Sequence, residues 1–291
     1  MSQSPSIQWF PGHMAKTRRL IKECLPLVDA VVEIRDARIV ISSKNPEIDK
    51  LIGNKKRVLV LNKADCADSE TTRKWCEYYR AQGIETVVTD SRSGKGINAF
   101  PGAVRRALSE LIEKRAAKGM SAKAIKVMVV GIPNVGKSSF INRLSKSKKA
   151  KVEDRPGVTR GIQWVDVDSS LQLLDMPGML WPKFESQEVS EHLAFTGAVK
   201  DDIMDIELLA VRLLETLKDK YPQMLCARYN IEIGDDEDGY ELLLKIGAKR
   251  GMRISGGEIN TERAAIAVID EFRGCKIGRI SLESVEDIER M

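Results

Sequence analysis

The sequence predicts an α/β fold, a parallel-type sheet flanked by helices, followed by a C-terminal all-helical domain. Three observations carry that reading. Short apolar runs rich in β-branched residues recur at 28–34 (VDAVVEI), 57–61 (RVLVL) and 85–89 (ETVVT), and helical stretches at 13–25, about 45–53 and 69–82 separate them. A fourth run, 125–130 (IKVMVV), leads into a glycine-containing loop and another helical stretch. After Pro182 the strand-like runs give way to helical spacing.

Each run is apolar on successive residues rather than alternate ones, as a strand covered on both faces requires. Strands alternating with helices give a parallel sheet with helices packed on it. Residues 100–118 read as one amphipathic helix with Val104, Leu108, Leu111 and Ile112 on its apolar face. Residues 114–124 (KRAAKGMSAKA) are polar, small and basic, as a connector is. Segments 162–167 and 171–174 read as a strand pair around a turn at 168–170. Beyond it, 187–200, 203–220, 237–248 and 261–273 carry helical spacing, with Leu208, Leu209, Val211, Leu213, Leu214 and Leu217 the clearest apolar face. A short strand-like piece lies near 277–280. The predicted division is 1–184 for the α/β domain and 185–291 for the helical one.

The 291 residues are 43% hydrophobic and 31% charged, the balance of a globular protein in water. No apolar run approaches the ~18 residues that span a bilayer. The N-terminal segment MSQSPSIQWFPGHMAK lacks the pattern of a secretory signal. The expected location is the cytoplasm. Cys24, Cys66, Cys76, Cys226 and Cys275 are scattered, without the Cys-x-x-Cys spacing of a zinc site. The net charge of +5 hides an asymmetry: residues 1–184 hold 33 Lys and Arg against 19 Asp and Glu, whereas 185–291 hold 14 against 23. The basic first part favours a polyanionic partner, most simply nucleic acid.

Residues 131–138 (GIPNVGKS) match G-x-x-x-x-G-K-[ST] at every fixed position, between a strand and a helix as that loop requires. Its glycines let backbone N–H groups curl around a β-phosphate. Lys137 is placed to reach the β- and γ-phosphates, and the Ser138 hydroxyl to ligate Mg²⁺. The loop alone does not choose between ATP and GTP.

Residues 62–65 (NKAD) follow the second strand. The Asp65 carboxylate there can accept from guanine N1–H and N2–H₂ together, and adenine offers no such donor pair. Asn62 would brace the loop and contact the base, and the aliphatic stem of Lys63 would lie over the ring. Ser91, Arg92, Ser93 and Gly94 follow the third strand; a backbone N–H of this loop could reach guanine O6, although an ordinary strand-to-helix loop reads the same way. Residues 175–178 (DMPG) end another strand, with Asp175 suited to hold Mg²⁺ through water and the Gly178 N–H to bind a γ-phosphate. Thr159, in a basic Gly/Pro-containing loop, is the candidate switch threonine over Mg²⁺.

Most GTPases run phosphate loop, switch threonine, DxxG, NKxD and then the Ser-containing loop. Here NKAD and Ser91 come first. The chain therefore resembles the circularly permuted GTPases and, with IQWFPGHMAK at its start, DMPGMLWPKF after the strand pair and SGGEIN in its tail, the ribosome biogenesis GTPase A family. The resemblance spans nearly the whole chain. It implies GTP hydrolysis to GDP and phosphate on an immature large (50S) ribosomal subunit, at a late assembly step, followed by dissociation. Contacts would be with rRNA and ribosomal proteins, not with DNA or membrane, and the protein would be a monomer off the ribosome. Nucleotide contacts would come from Asn62, Lys63, Ala64, Asp65, Asp90, Ser91, Asn134, Val135, Gly136, Lys137, Ser138, Ser139 and Gly178. Mg²⁺ would be held by Ser138, Thr159 and, through water, Asp175. Asn134 would help bind K⁺, or serve turn geometry alone.

Met179 stands where many GTPases place the glutamine that orients the attacking water. Hydrolysis must then be slow or helped from elsewhere, and the family's corresponding histidine makes His13, in a Pro-Gly-His turn, the candidate catalytic group. The tail is net acidic, so its rRNA contacts would use Lys249, Arg250 and Arg253, with 235–238 (DDED) facing away or remaining flexible. Two other readings stay open: a GTP-controlled binding module with incidental hydrolysis, and a GTPase acting on tRNA or another RNA.

Overall fold

A computed structural model describes residues 11–120, 123–146, 152–153, 163–184, 186–199 and 205–290. The chain divides into two compact units, residues 1–183 with 283–291, and residues 184–282.

The first unit is built on a seven-stranded sheet in the order β3-β2-β1-β4-β7-β6-β5. Helix α1 (Pro11–Cys24) precedes strand β1 (Ala30–Asp36), and α2 (Pro46–Ile52), β2 (Lys56–Asn62), α3 (Ser69–Ala81) and β3 (Glu85–Val88) come next. Then come α4 (Phe100–Ala107), α5 (Ser109–Ala117), β4 (Ile125–Gly131), α6 (Lys137–Lys146), β5 (Val152–Glu153), β6 (Gln163–Asp168) and β7 (Leu171–Asp175). Five strands run parallel; β6 and β5 close one edge antiparallel. The chain moves outward from β1 to β3, returns to place β4 against β1, and then builds the other half. The β1–β4 junction is thus a topological switch point, where ligands bind at the carboxyl ends of an open α/β sheet.

Register sorts the core. Val31, Glu33 and Arg35 of β1 share a sheet face with Leu59, Leu61, Met128 and Val130. Helices α1 and α2 cover part of that face through Leu20, Ile21, Cys24, Ile48 and Ile52, and α3 covers another part through Trp75 and Cys76. Between these apolar clusters lies a buried ionic network. Arg35 donates to both Glu33 oxygens at 2.9 Å and to the Tyr79 hydroxyl at 2.7 Å, and Arg57 lies 3.2 Å from Glu33. Breaking such a pair on one side costs about 3–5 kcal/mol, because it strands a charge in the core.

The C-terminus returns to this unit. The buried Glu283 carboxylate accepts from the backbone N–H of Ile41 and Ser42 and from the Ser42 hydroxyl. Its carbonyl accepts from Trp75 Nε1 at 3.3 Å, Val285 and Ile288 pack against the Trp75 cluster, and Lys74 pairs with Glu286 at 3.1 Å. The sequence pattern extends the helical part to residue 291; nothing in the polar segment 283–290 signals a return to the sheet.

The second unit holds α7 (Gln187–Phe195), α8 (Ile206–Lys220), α9 (Pro222–Tyr229), α10 (Gly239–Lys249) and α11 (Thr261–Arg273). Ser186, Asp205, Asp238 and Asn260 cap four of them with side-chain oxygens. Gly239 lets α10 approach α8: a Cβ there would lie 2.3 Å from Val211 O. Helix α9 was not anticipated; Pro222 stands at its first position. Two other differences are local. The predicted helix over 100–118 breaks at Leu108, and 277–280 forms no strand.

The basic residues expected to meet rRNA are partly spent here. Arg250 and Arg228 both donate two bonds to Glu271, between 2.6 and 3.1 Å, and Arg250 stacks on the Tyr229 ring at 5.0 Å. Burial pushes the Glu271 carboxyl up, but the two guanidinium groups outweigh it and hold it at about 2. Arg253 donates to Gly257 O at 2.5 Å. The acidic run is structural too: Asp238 caps α10, and Glu237 pairs with Lys245.

Replacing Glu283 by Ala removes the acceptor of two backbone N–H groups and a hydroxyl. The expected loss of stability is about 2–4 kcal/mol, read as a lower urea midpoint for the full chain. An unchanged midpoint would show that the returning segment contributes nothing.

Candidate nucleotide site

Four loops meet at the carboxyl ends of β4, β2, β3 and β7. The loop after β4 and the start of α6 line a cleft of about 630 Å³ with Ile132, Pro133, Asn134, Gly136, Lys137, Ser138 and Ser139, joined by Lys63 and Gly178. The α6 N-terminus points its unpaired N–H groups into such a loop, which favours an anion. Lys137 forms an ion pair with Asp175, so the phosphate-loop cation and the DMPG carboxylate are neighbours.

The glycines have specific reasons. Gly136 has φ +87°, and a Cβ on it would lie 2.3 Å from Asn62 Nδ2. A Cβ on Gly131 would lie 2.7 Å from Ile34 O, and one on Gly178 3.1 Å from Pro133 N. Backbones from β1, β4 and β7 therefore converge more closely than side chains allow.

Asn62 ties the loops together. Its Nδ2 donates to Val135 O at 2.8 Å. Its Oδ1 accepts from Thr89 Oγ1 (3.0 Å), Ser91 N (3.1 Å) and Ser91 Oγ (2.7 Å). The residue is 1% exposed. These bonds give Asn62 a bracing role between the loops. Ala64 N–H donates to Thr89 O at 3.1 Å, fastening NKAD to the end of β3. Lys63 sits at φ +58° with its ammonium 3.0 Å from Asp36 Oδ2. Burial would raise the Asp36 carboxyl; Arg38 and Lys63 more than offset it and hold it well below the usual range.

The loop 91–94 is held by hydrogen bonds to Asn62 and Asp90. Ser91 N–H goes to Asn62, Arg92 and Ser93 N–H to Asp90 Oδ1 at 2.8 and 3.2 Å, and Gly94 N–H to Asp90 O at 2.8 Å. These backbone donors are paired with Asn62 and Asp90. Asp90 accordingly organises that loop. Asp65 Oδ2 accepts from Arg92 Nη2 at 2.9 Å.

Known proteins resemble this chain in sequence and fold. Residues 126–229 match the family described as 50S ribosome-binding GTPase. The chain is 47% identical to ribosome biogenesis GTPase A of Bacillus licheniformis over 97% of its own length and 99% of that protein's. The chain belongs to the ribosome biogenesis GTPase A family. Its fold resembles a GDP-bound YlqF structure (TM-score 0.65, 28% identity) and GNP-bound YlqF from Thermotoga maritima (TM-score 0.63, 27% identity). Each likeness covers 92% of this chain, and 99% and 98% of those chains. The protein is a GTPase with a circularly permuted domain that binds guanine nucleotide.

In this GTPase Met179 is 4% exposed. It lies in the apolar cluster with Leu20, Ile21 and Cys24 of α1 and Met176. Its N–H donates to Gly131 O at 3.2 Å, and its carbonyl accepts from Asn45 Nδ2 at 2.7 Å. The methionine is thus an anchor for the segment after DMPG, a role its apolar type signals and its position in the motif hides. His13 falls in the first turn of α1, because Pro11 starts the helix earlier than the sequence spacing indicated; its side chain lies outside the described residues, as does Thr159. The Asn45, Asp36 and Arg92 contacts were not anticipated, since each depends on a partner that no motif spacing marks.

Gly136→Ala would force the phosphate loop away from Asn62. Nucleotide affinity is expected to fall about tenfold to a hundredfold, from the ~1–3 kcal/mol that such strain costs, and the unfolding midpoint of the nucleotide-free protein to fall with it. Fluorescent GDP titration checks this; wild-type affinity would contradict the close packing.

Proposed function

We propose that this GTPase binds the immature large ribosomal subunit, promotes a late assembly step and leaves after hydrolysing GTP to GDP and phosphate. The observation that carries the reading is the burial of Met179 in an enzyme of this family. The position that orients water in many GTPases is taken up by core packing, so efficient hydrolysis waits on a group supplied elsewhere. The names of the matched family and relatives supply the ribosome as the place, and the excess of basic residues over 1–184 supplies attraction to RNA.

Within the site, Asp65 reads the guanine edge, Lys137 and the N–H groups around Gly136 hold the phosphates, and Lys63 lies along the base. Ser139 and Gly178 border the phosphates. Ser138 and Asp175 fit Mg²⁺, both being hard oxygen donors beside Lys137, and Thr159 would complete its shell. Mg²⁺ when bound neutralises charge on the β- and γ-phosphates. Lys137 must leave Asp175 for the phosphates, freeing that carboxylate. Asn134 lines the cleft, and its amide would help hold K⁺, which would add positive charge beside the phosphates. His13 would position or deprotonate the attacking water once the protein has docked. The protein acts as a cytoplasmic monomer between rounds; among the described residues no helix is long and apolar enough to cross a membrane.

The test is single-turnover GTP cleavage with and without 50S subunits. Wild type is expected to be slow alone and stimulated at least about tenfold, and His13→Ala to keep GTP and particle binding but lose most of the stimulation. Equal stimulation of the mutant would remove His13 from catalysis, and no stimulation of either protein would contradict the ribosomal reading.

A further inference from the structure

Arg143 lies on α6, the helix that opens with Lys137 and Ser138, and it is exposed. Its Nη2 donates to Arg92 O at 3.3 Å and to Ser93 O. Gly94 has φ +91°, and a Cβ on it would lie 2.6 Å from Arg143 Nε, so the loop backbone is seated directly on the guanidinium. Arg92, whose carbonyl Arg143 holds, reaches forward with its own guanidinium to Asp65. A continuous chain of charge-assisted bonds therefore runs from the phosphate-binding helix through the loop 91–94 to the carboxylate that reads the base.

A second tie between the base-reading loops and the phosphate-binding segment is the amide of Asn62 on Val135 O. Asn62 is buried and cannot be altered without disturbing the core. Arg143 is on the surface and belongs to neither apolar cluster of the sheet, so core packing does not account for its position. One guanidinium nitrogen shared by two successive carbonyls, with Nε against Gly94, fixes how far the loop stands from α6.

We infer that Arg143 is a positioning residue for guanine recognition: it sets the loop 91–94, and through Arg92 the Asp65 carboxylate, at the distance from the phosphate loop that one bound nucleotide spans. The inference rests on the reading of Asp65 as the guanine reader. Its consequence is specific to the base. Guanine gives Asp65 two donors, N1–H and N2–H₂, whereas hypoxanthine gives it N1–H alone. A misplaced carboxylate thus costs GDP more than IDP.

The experiment is equilibrium titration of full-length wild type, Arg143→Lys and Arg143→Ala with GDP, IDP and ADP, beside thermal unfolding. Arg143→Ala is expected to weaken GDP about tenfold and IDP about twofold to threefold, so that the GDP-to-IDP preference falls several-fold at an unchanged unfolding midpoint. Arg143→Lys, which keeps the charge on a shorter side chain, should fall between. Equal losses for GDP and IDP, or none, would overturn the inference, as would a lowered midpoint with the preference intact. Wild type that binds ADP as well as GDP would instead overturn the reading of Asp65 on which it rests.

Discussion

The side-chain amide of Asn62 is a small group with four hydrogen bonds, and the site depends on it. One bond crosses to Val135 in the phosphate loop, and three go to Thr89 and Ser91 at the end of β3. Base and phosphate sites arise from different strands, and a nucleotide spans a fixed length between them. An amide buried at that junction, with donor and acceptor both satisfied, can hold only one geometry. Gly136 exists to admit it, since any side chain there would occupy the same space.

The permutation is tolerable for the same reason. A parallel sheet presents its loops at the carboxyl ends of its strands regardless of which strand the chain visits first. With order β3-β2-β1-β4-β7-β6-β5, the base-reading half is made before the phosphate-binding half, and β1 against β4 joins them. The consequence appears downstream. The DMPG segment now ends the first pass through the sheet, and Met179 fastens the chain just beyond it beneath α1 and to Asn45. Loop 36–45 thereby touches Lys63 at one end and Met179 at the other, and Glu283 grips its middle. Nucleotide reading, the segment after DMPG and the returning C-terminus share one short piece of backbone.

Much of this was legible in the sequence. Continuous β-branched runs marked the strands, and the fixed positions of GIPNVGKS, NKAD and DMPG placed the cleft, because each motif is tied to a strand end. What stayed hidden has a common physical character. Arg92 on Asp65, Asn45 on Met179 and Glu283 on Ser42 are bonds between residues far apart in the chain, and no local periodicity records them. Arg250 reads as a free cation in sequence but is locked to Glu271 and Tyr229 by a fold that had to be known first.

The central claim is that NKAD and the phosphate loop, separated and inverted in sequence, form one guanine site with Asp65 as its reader. Competitive binding of GDP, ADP and xanthosine diphosphate to wild type and Asp65→Asn tests it most directly. The account predicts that wild type prefers GDP over ADP by at least about a hundredfold, the scale set by stranding buried donors and acceptors, and that Asp65→Asn weakens GDP while gaining xanthosine diphosphate. Equal affinity of wild type for ADP and GDP, or an Asp65→Asn variant with unchanged selectivity, would contradict it.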